Sequence, residues 1–215
     1  MLALEEADDG LTVLELHIIS DGQNNLDRFT EIAQNIHPYI TAFHLREPRR
    51  NACELWQVVQ AMLARGVPAN KLMINDRIDV AWAAKLQGAQ LSYRSLNVRD
   101  ARAAFPGLRL GCSVHEHEEA LLAEGQGADF LLYGHVFETA SKPGQQPRGI
   151  SALEQIAGSV KIPVIAIGGI YPDRVHEVVA AGAAGVAVLS GVTQAADPLV
   201  AVKKYAEALN KARRQ

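Results

Sequence analysis

Pro163-Val-Ile-Ala-Ile-Gly-Gly169, followed by Ile170-Tyr171-Pro172-Asp173, is the stretch whose reading decides the fold. The apolar run has no polar face, which describes a strand buried on both sides, as in a parallel sheet covered by helices. The two glycines end the strand, and Pro172 and Asp173 open a helix predicted to reach about Ala181. Lacking Cβ atoms, Gly168 and Gly169 let the backbone approach a ligand, and N–H groups nearby can bind an anion. The same layout follows at once in Gly185-Val-Ala-Val-Leu-Ser190-Gly191 and a further helix. Two neighbouring strands ending in small residues predict one phosphate gripped by Gly168, Gly169, Ser190 and Gly191. In a barrel of eight βα units, that is the site after strands 7 and 8.

Working outward, the rest of the chain supplies six more units. Strands are predicted at Val13 to Ser20, Ile40 to Glu47, Lys71 to Asp76, Ala89 to Ser92, Leu108 to Val114 and Asp129 to Val136. Helical patterns fall between them: Asn25 to Ile36, one capped by Asn51 and stopped by Gly66, Arg77 to Leu86, Val98 to Phe105, and Glu116 to Glu124. A long loop, Phe137 to Gly149, precedes a helix capped by Ser151, and the last helix covers Pro198 to about Ala212. Strict βα alternation without a linker favours an α/β fold, a single (β/α)8 TIM barrel domain over residues 1–215, with 1–12 as an N-terminal extension.

Composition bounds the function. The 215 residues suit one domain with a sizeable core, and a net charge of −3 suggests neither a nucleic-acid nor a membrane partner. No apolar run approaches the ~20 residues of a membrane span. Met1 to Gly10 lacks the basic-then-apolar order of a signal peptide. With only Cys53 and Cys112, a disulfide framework is excluded and a reducing, cytoplasmic setting is expected; both are read as core fillers. Apolar helix faces permit a homodimer.

The polar residues at the strands' C-terminal ends form the candidate site. They are His17 and Ser20, His44 and Arg46, Asn75 and Asp76, Ser113 and His115, and His135, with Lys142 and Arg148 in the following loop. In a barrel these converge on one mouth, facing the phosphate loops. His17 and His44 lie within strands and read equally as satisfied core residues, and His115 reads equally as a loop support. His37, His117 and His176 are expected to be solvated. His135, at the end of a buried strand, suits proton transfer near neutral pH. No cluster has metal-ligand spacing, and there is no Walker loop or dinucleotide fingerprint.

Several pieces together resemble the thiamin phosphate synthase superfamily over nearly the whole chain. They are His44-Leu-Arg-Glu47, Asn75-Asp76, Gly111-Cys-Ser-Val-His115, Tyr133-Gly-His-Val-Phe-Glu-Thr139 with Lys142, Ala166-Ile-Gly-Gly-Ile170, and Gly182-Ala-Ala-Gly-Val-Ala-Val-Leu-Ser-Gly191. Synthases of this kind join a pyrimidine pyrophosphate to a thiazole phosphate and need Mg²⁺ held by two aspartates. Asp76 matches the first, whereas Ser95 stands near the second, and Pro48 stands where the synthases have a lysine. Within the superfamily the chain looks most like the TenI-type thiazole tautomerases, chiefly through residues 134–139. That likeness implies an isomerase without metal or other cofactor, acting on a small phosphorylated thiazole. His135 would be the main proton-transfer group, helped by Lys142 and His115. Arg46, His44, Asn75, Ser113, Gly168, Gly169, Ser190 and Gly191 would bind substrate. An active synthase and a non-catalytic thiazole or thiamin phosphate sensor are the alternatives.

Overall fold

A computed structural model describes residues 13–22 and 26–214, so the extension expected over 1–12 and the helix start expected at Asn25 lie outside the described residues. Within them run β1 (Glu15–Ile19), α1 (Leu26–Ile36), β2 (Ala42–Leu45), α2 (Ala52–Ala64), β3 (Leu72–Asn75), α3 (Ile78–Ala83), β4 (Gly88–Leu91) and α4 (Val98–Ala104). Then come β5 (Arg109–Val114), α5 (His117–Gly125), β6 (Phe130–Gly134), α6 (Ile150–Ser159), β7 (Val164–Ile167), α7 (Val175–Ala180), β8 (Gly185–Val188), α8 (Ser190–Thr193) and α9 (Pro198–Arg213). The strands pair in parallel and in chain order, and β8 closes on β1, making the (β/α)8 barrel expected from the alternation.

Local chemistry explains where the elements begin and end. Asn51 caps α2 in a reciprocal box with Glu54, satisfying two N–H groups that the helix itself leaves open. Gly66 then turns the chain at a φ of 83°, where only glycine is unstrained. Ser151 does not cap α6, because the helix already starts at Ile150 after Gly149. Pro172 to Arg174 form a 3-10 turn and α7 starts only at Val175, since proline seeds a turn without donating to it. The run from Gly185 to Gly191 is strand only as far as Val188, and Ser190 already belongs to α8.

Side chains alternate across each strand and separate two apolar layers. Outward residues such as Leu16, Phe43, Ile74, Leu110, Leu131 and Val186 pack against the helices. Inward residues Ile19, Ala42, Met73, Phe130, Leu132, Ile165 and Ala187 fill the barrel. Cys53 is exposed rather than a core filler, as it stands on the outer face of α2, whereas burial pushes the Cys112 thiol up to about 11. His117 and His176 are exposed and His37 is half-buried.

The barrel interior is not wholly apolar. Arg109 Nη2 donates to Glu15 Oε1 at 2.7 Å, Glu15 Oε2 meets His17 Nε2 at 2.8 Å, and His17 Nδ1 meets His44 Nε2 at 3.0 Å. Burial alone would raise the Glu15 carboxyl, but hydrogen bonds from His17 and Arg109, with the Arg109 charge, outweigh it and hold the group at about 2, against the usual 4.5. The folded carboxylate therefore resists protons that the unfolded one accepts. Its contribution, about 3 kcal/mol, is complete above pH 4.5 and is lost as pH falls to about 2. Burial also depresses both imidazoles below the usual 6.5, so a further loss begins once the unfolded histidines protonate. Urea unfolding between pH 7 and 3 is expected to show both losses, with Glu15→Gln removing the lower one.

Candidate functional site

The mouth is built at the C-terminal ends of the strands. After β1 and β2, the Ser20 hydroxyl donates to Glu47 Oε1 at 2.6 Å and accepts from the Arg46 N–H at 2.9 Å, which fixes the turn from which the exposed Arg46 side chain projects. After β3, Asp76 takes a left-handed φ of 65°, uncommon outside glycine and frequent at functional turns. Its Oδ1 accepts from both Ser92 and Ser95 hydroxyls at 2.6 Å. The residue standing near the expected second aspartate is thus in direct contact with the first. Ser113 accepts from Gln90 Nε2 at 3.0 Å. His115 has a buried Nδ1 with no partner among the described residues, while its N–H is held by Glu119.

The loop after β6 lies folded over this mouth. His135 is only 5% exposed, and its Nε2 meets the Gln145 carbonyl at 3.3 Å. Its own carbonyl accepts from the Arg148 N–H at 2.9 Å. His135 therefore ties down the loop that carries Lys142 and Arg148. Arg148 is anchored by Gly134 O and by Glu116 at 3.0 Å, more than the plain surface charge that its sequence setting allowed. Lys142 is half-buried, and its Nζ has no hydrogen-bond or ion-pair partner among the described residues. Desolvation, then repulsion from Arg148 and Arg46, lowers its pKa. Three cations from two loops thus share one electrostatic neighbourhood.

The glycine loops sit on the other side. A Cβ on Gly168 would lie 2.3 Å from His135 Cβ, and one on Gly169 would lie 2.3 Å from the Glu138 carbonyl. These glycines are needed first for the β6 loop to pack against them, a reason the sequence does not display. Tyr205, from α9, donates to Ile170 O at 3.0 Å and fills the space where a Gly191 Cβ would stand 2.4 Å from its hydroxyl. It wedges both glycine loops in place, although it sits on the last helix with nothing in its spacing to mark it. Burial, with Tyr171 and Asp173 nearby, pushes its phenol up to about 12, so it remains a donor. Tyr205→Phe leaves the Ile170 carbonyl unpaired and is expected to cost about 1 kcal/mol in urea unfolding and to weaken inorganic phosphate binding a few-fold.

The expected residues come from the strand ends and the loops that follow them, and His44 lies deeper. Arg46, Asn75, Ser113, His115, His135 and Lys142 come from the loops and strand ends that rim the mouth, and Gly168, Gly169, Ser190 and Gly191 come from the adjoining ends of β7 and β8. His44 is fully buried, held by His17 inside the barrel. Sequence reading left Gln90 and Tyr205 unmarked, and named Glu47 and Ser92 as the last residues of strands and not as members of the site.

A family model described as thiamine monophosphate synthase matches residues 16–192. The thiamine-phosphate synthase of Pyrococcus furiosus is 36% identical over 200 residues, covering 92% of this chain and 94% of that protein. That of Moorella thermoacetica is 40% identical over 177 residues, covering 80% and 84%. The solved thiamine phosphate pyrophosphorylase of Pyrococcus furiosus has a TM-score of 0.78 at 32% identity, covering 93% and 96%. A solved 3-hexulose-6-phosphate synthase, with a TM-score of 0.72 at 18% identity, shares the fold. These relatives correct the functional expectation: they are named as synthases, which are transferases, so the thiazole tautomerase and isomerase reading is overturned. The structure gives a physical reason to reread His135, whose Nε2 is engaged by its own loop. Among the described residues, no helix is long and apolar enough to cross a membrane. With the family model spanning nearly all of the barrel, and relatives 36–40% identical along it, the chain belongs to the thiamine monophosphate synthase family.

Proposed function

We propose that this chain is a thiamine-phosphate synthase, a transferase that joins a pyrimidine bearing a diphosphate leaving group to a thiazole phosphate. The observation that carries this reading is the convergence of Lys142 with Arg148 and Arg46, a cation cluster suited to a polyanion with more charge than one phosphate. Ionisation of a diphosphate leaving group needs such charge in place beforehand. Arg148, anchored by Gly134 O and shared with the Glu116 carboxylate, would supply part of the positive charge that Pro48 does not provide, in the loop that brings Lys142 to the mouth. The loops at Gly168, Gly169, Ser190 and Gly191 would hold the phosphate of the acceptor.

The family's chemistry implies Mg²⁺, and the donor set can be tested against it. Among the described residues, no group of three or more His, Cys, Asp or Glu side chains is placed to hold a metal. Asp76 offers one carboxylate, with Oδ1 engaged by the Ser92 and Ser95 hydroxyls and Oδ2 left over. Mg²⁺ commonly takes one or two carboxylates and leaves its other positions to water and substrate phosphates. Asp76 with Ser92 and Ser95 fits that minimal kind of site. When bound, the ion would neutralise charge on the leaving diphosphate. The protein's own part is to aim three cations, exclude water beneath the β6 loop and hold the acceptor phosphate opposite.

The test is to incubate the purified protein with both substrates and Mg²⁺ and to follow thiamine phosphate and pyrophosphate together. Equal appearance of both is the expected result. Binding of the thiazole phosphate without either product would make the chain a phosphate-binding protein and end the transferase reading.

A further inference from the structure

The chain Arg109–Glu15–His17–His44 runs through the barrel interior, with Asn75 at the end of β3 beside His44, and its members play no direct part in the chemistry above. His17 and His44 are fully buried, with Phe130 edge-on to both rings at 5.5 and 6.4 Å. Arg109 lies over the Phe130 face at 4.7 Å. The groups facing the pair are therefore Glu15 on β1, Arg109 on β5, Phe130 on β6 and Asn75 on β3. Among the described residues, the buried His44 Nδ1 and Asn75 Oδ1 have no hydrogen-bond partner.

Hydrogen-bond logic gives this chain a direction. Glu15, fastened to Arg109, only accepts, so His17 Nε2 must carry a proton. A neutral His17 then offers Nδ1 as a lone pair, and His44 Nε2 must donate to it. That leaves His44 Nδ1 as a lone pair beside the Asn75 amide, whose oxygen cannot satisfy it. A half-turn of the amide supplies Nδ2–H to His44 and frees Oδ1 to accept from a ligand. We propose that Glu15 and His17 are positioning residues: from inside the barrel they set the tautomer of His44, and through it they fix Asn75 as an acceptor for a donor group, an amine or N–H, of a heteroaromatic substrate. Burial disfavours the imidazolium at both positions, in keeping with two neutral rings.

The kinetic consequence rests on the transferase reading, whereas the tautomers do not. ¹⁵N NMR of imidazole-labelled full-length protein is expected to show His17 and His44 both neutral, both protonated at Nε2, with Nδ1 bare. Glu15→Gln can accept from His17 or yield to Arg109 but not do both well, and is expected to mix the tautomers. It should also raise KM for the amine-bearing substrate roughly tenfold, with a smaller change in kcat and inorganic phosphate binding unchanged. A proton on His44 Nδ1 in the wild type overturns the inference, and that spectrum decides even if Glu15→Gln does not fold. Unaltered tautomers in a folded Glu15→Gln, or altered tautomers with an unchanged KM, overturn it as well. Absence of any transferase activity with the expected wild-type spectrum would instead sink the functional reading and leave the tautomer assignment standing.

Discussion

Lys142→Ala is expected to lower kcat/KM for the diphosphate substrate by roughly 10²–10³-fold, the usual cost of removing one preorganised charge aimed at a developing anion. The half-buried ammonium has no ion-pair partner among the described residues, so little of its charge is spent within the protein. Desolvation, then Arg148, then Arg46 hold its pKa below the usual 10.5. A lysine with a lowered pKa loses its charge at lower pH than a free one, so the alkaline limb of kcat/KM should fall earlier than for an ordinary lysine. Arg148→Gln removes the larger of the two repulsions. It should shift that limb to higher pH even as the absolute rate drops. Profiles of kcat/KM against pH for wild type, Lys142→Ala and Arg148→Gln measure this. A limb that stays in place in Arg148→Gln would separate Lys142 from the charge that matters.

The barrel was legible because burial on both faces leaves a plain trace. The run from Val164 to Ile167 has no polar position, and the strand it forms is flanked by β6 and β8 inside the closed sheet. Strand ends were less legible: polar residues that finish such runs look like strand in sequence but lie beyond it, Ser20 and Asp76 in the turns of the mouth and Ser190 at the start of α8. The candidate residues were singled out on the same pattern, since polar groups at the ends of apolar strands have few roles besides lining the mouth.

What sequence could not reveal were pairings across long separations. Glu15 and Arg109 are 94 positions apart, and only the closure of the barrel brings them together. Nothing in either neighbourhood predicts a half-buried ion pair. The role of His135 is of the same kind. A histidine ending a buried strand suggests proton transfer, yet the loop that returns to meet it at Gln145 uses the ring as an anchor. The tautomerase expectation leaned on that histidine and on the missing carboxylate near Ser95. The structure shows Ser95 on Asp76, so the aspartate keeps hydroxyl company at the spot where its expected partner would stand.

That contact sets up the second large effect. Asp76→Asn is expected to reduce the transferase rate by at least roughly 10²-fold and to raise the Mg²⁺ concentration giving half of the remaining rate. The fold should be spared. Asparagine tolerates the left-handed φ of 65° as aspartate does, and its amide oxygen can still accept from Ser92 and Ser95. Thermal stability should therefore change by no more than about 0.5 kcal/mol. A large fall in rate with an unchanged melting temperature identifies the carboxylate charge, rather than the turn it occupies, as what the reaction uses. Ser95→Asp extends the argument. A second carboxylate beside Asp76 repels the first when no cation is present and shares a cation when one is, so the variant should lose stability in chelator and recover it on adding Mg²⁺. If Asp76→Asn keeps the wild-type rate and its Mg²⁺ dependence, then Asp76 serves only to gather Ser92 and Ser95 into the turn after β3, and the cations of the β6 loop must act without it.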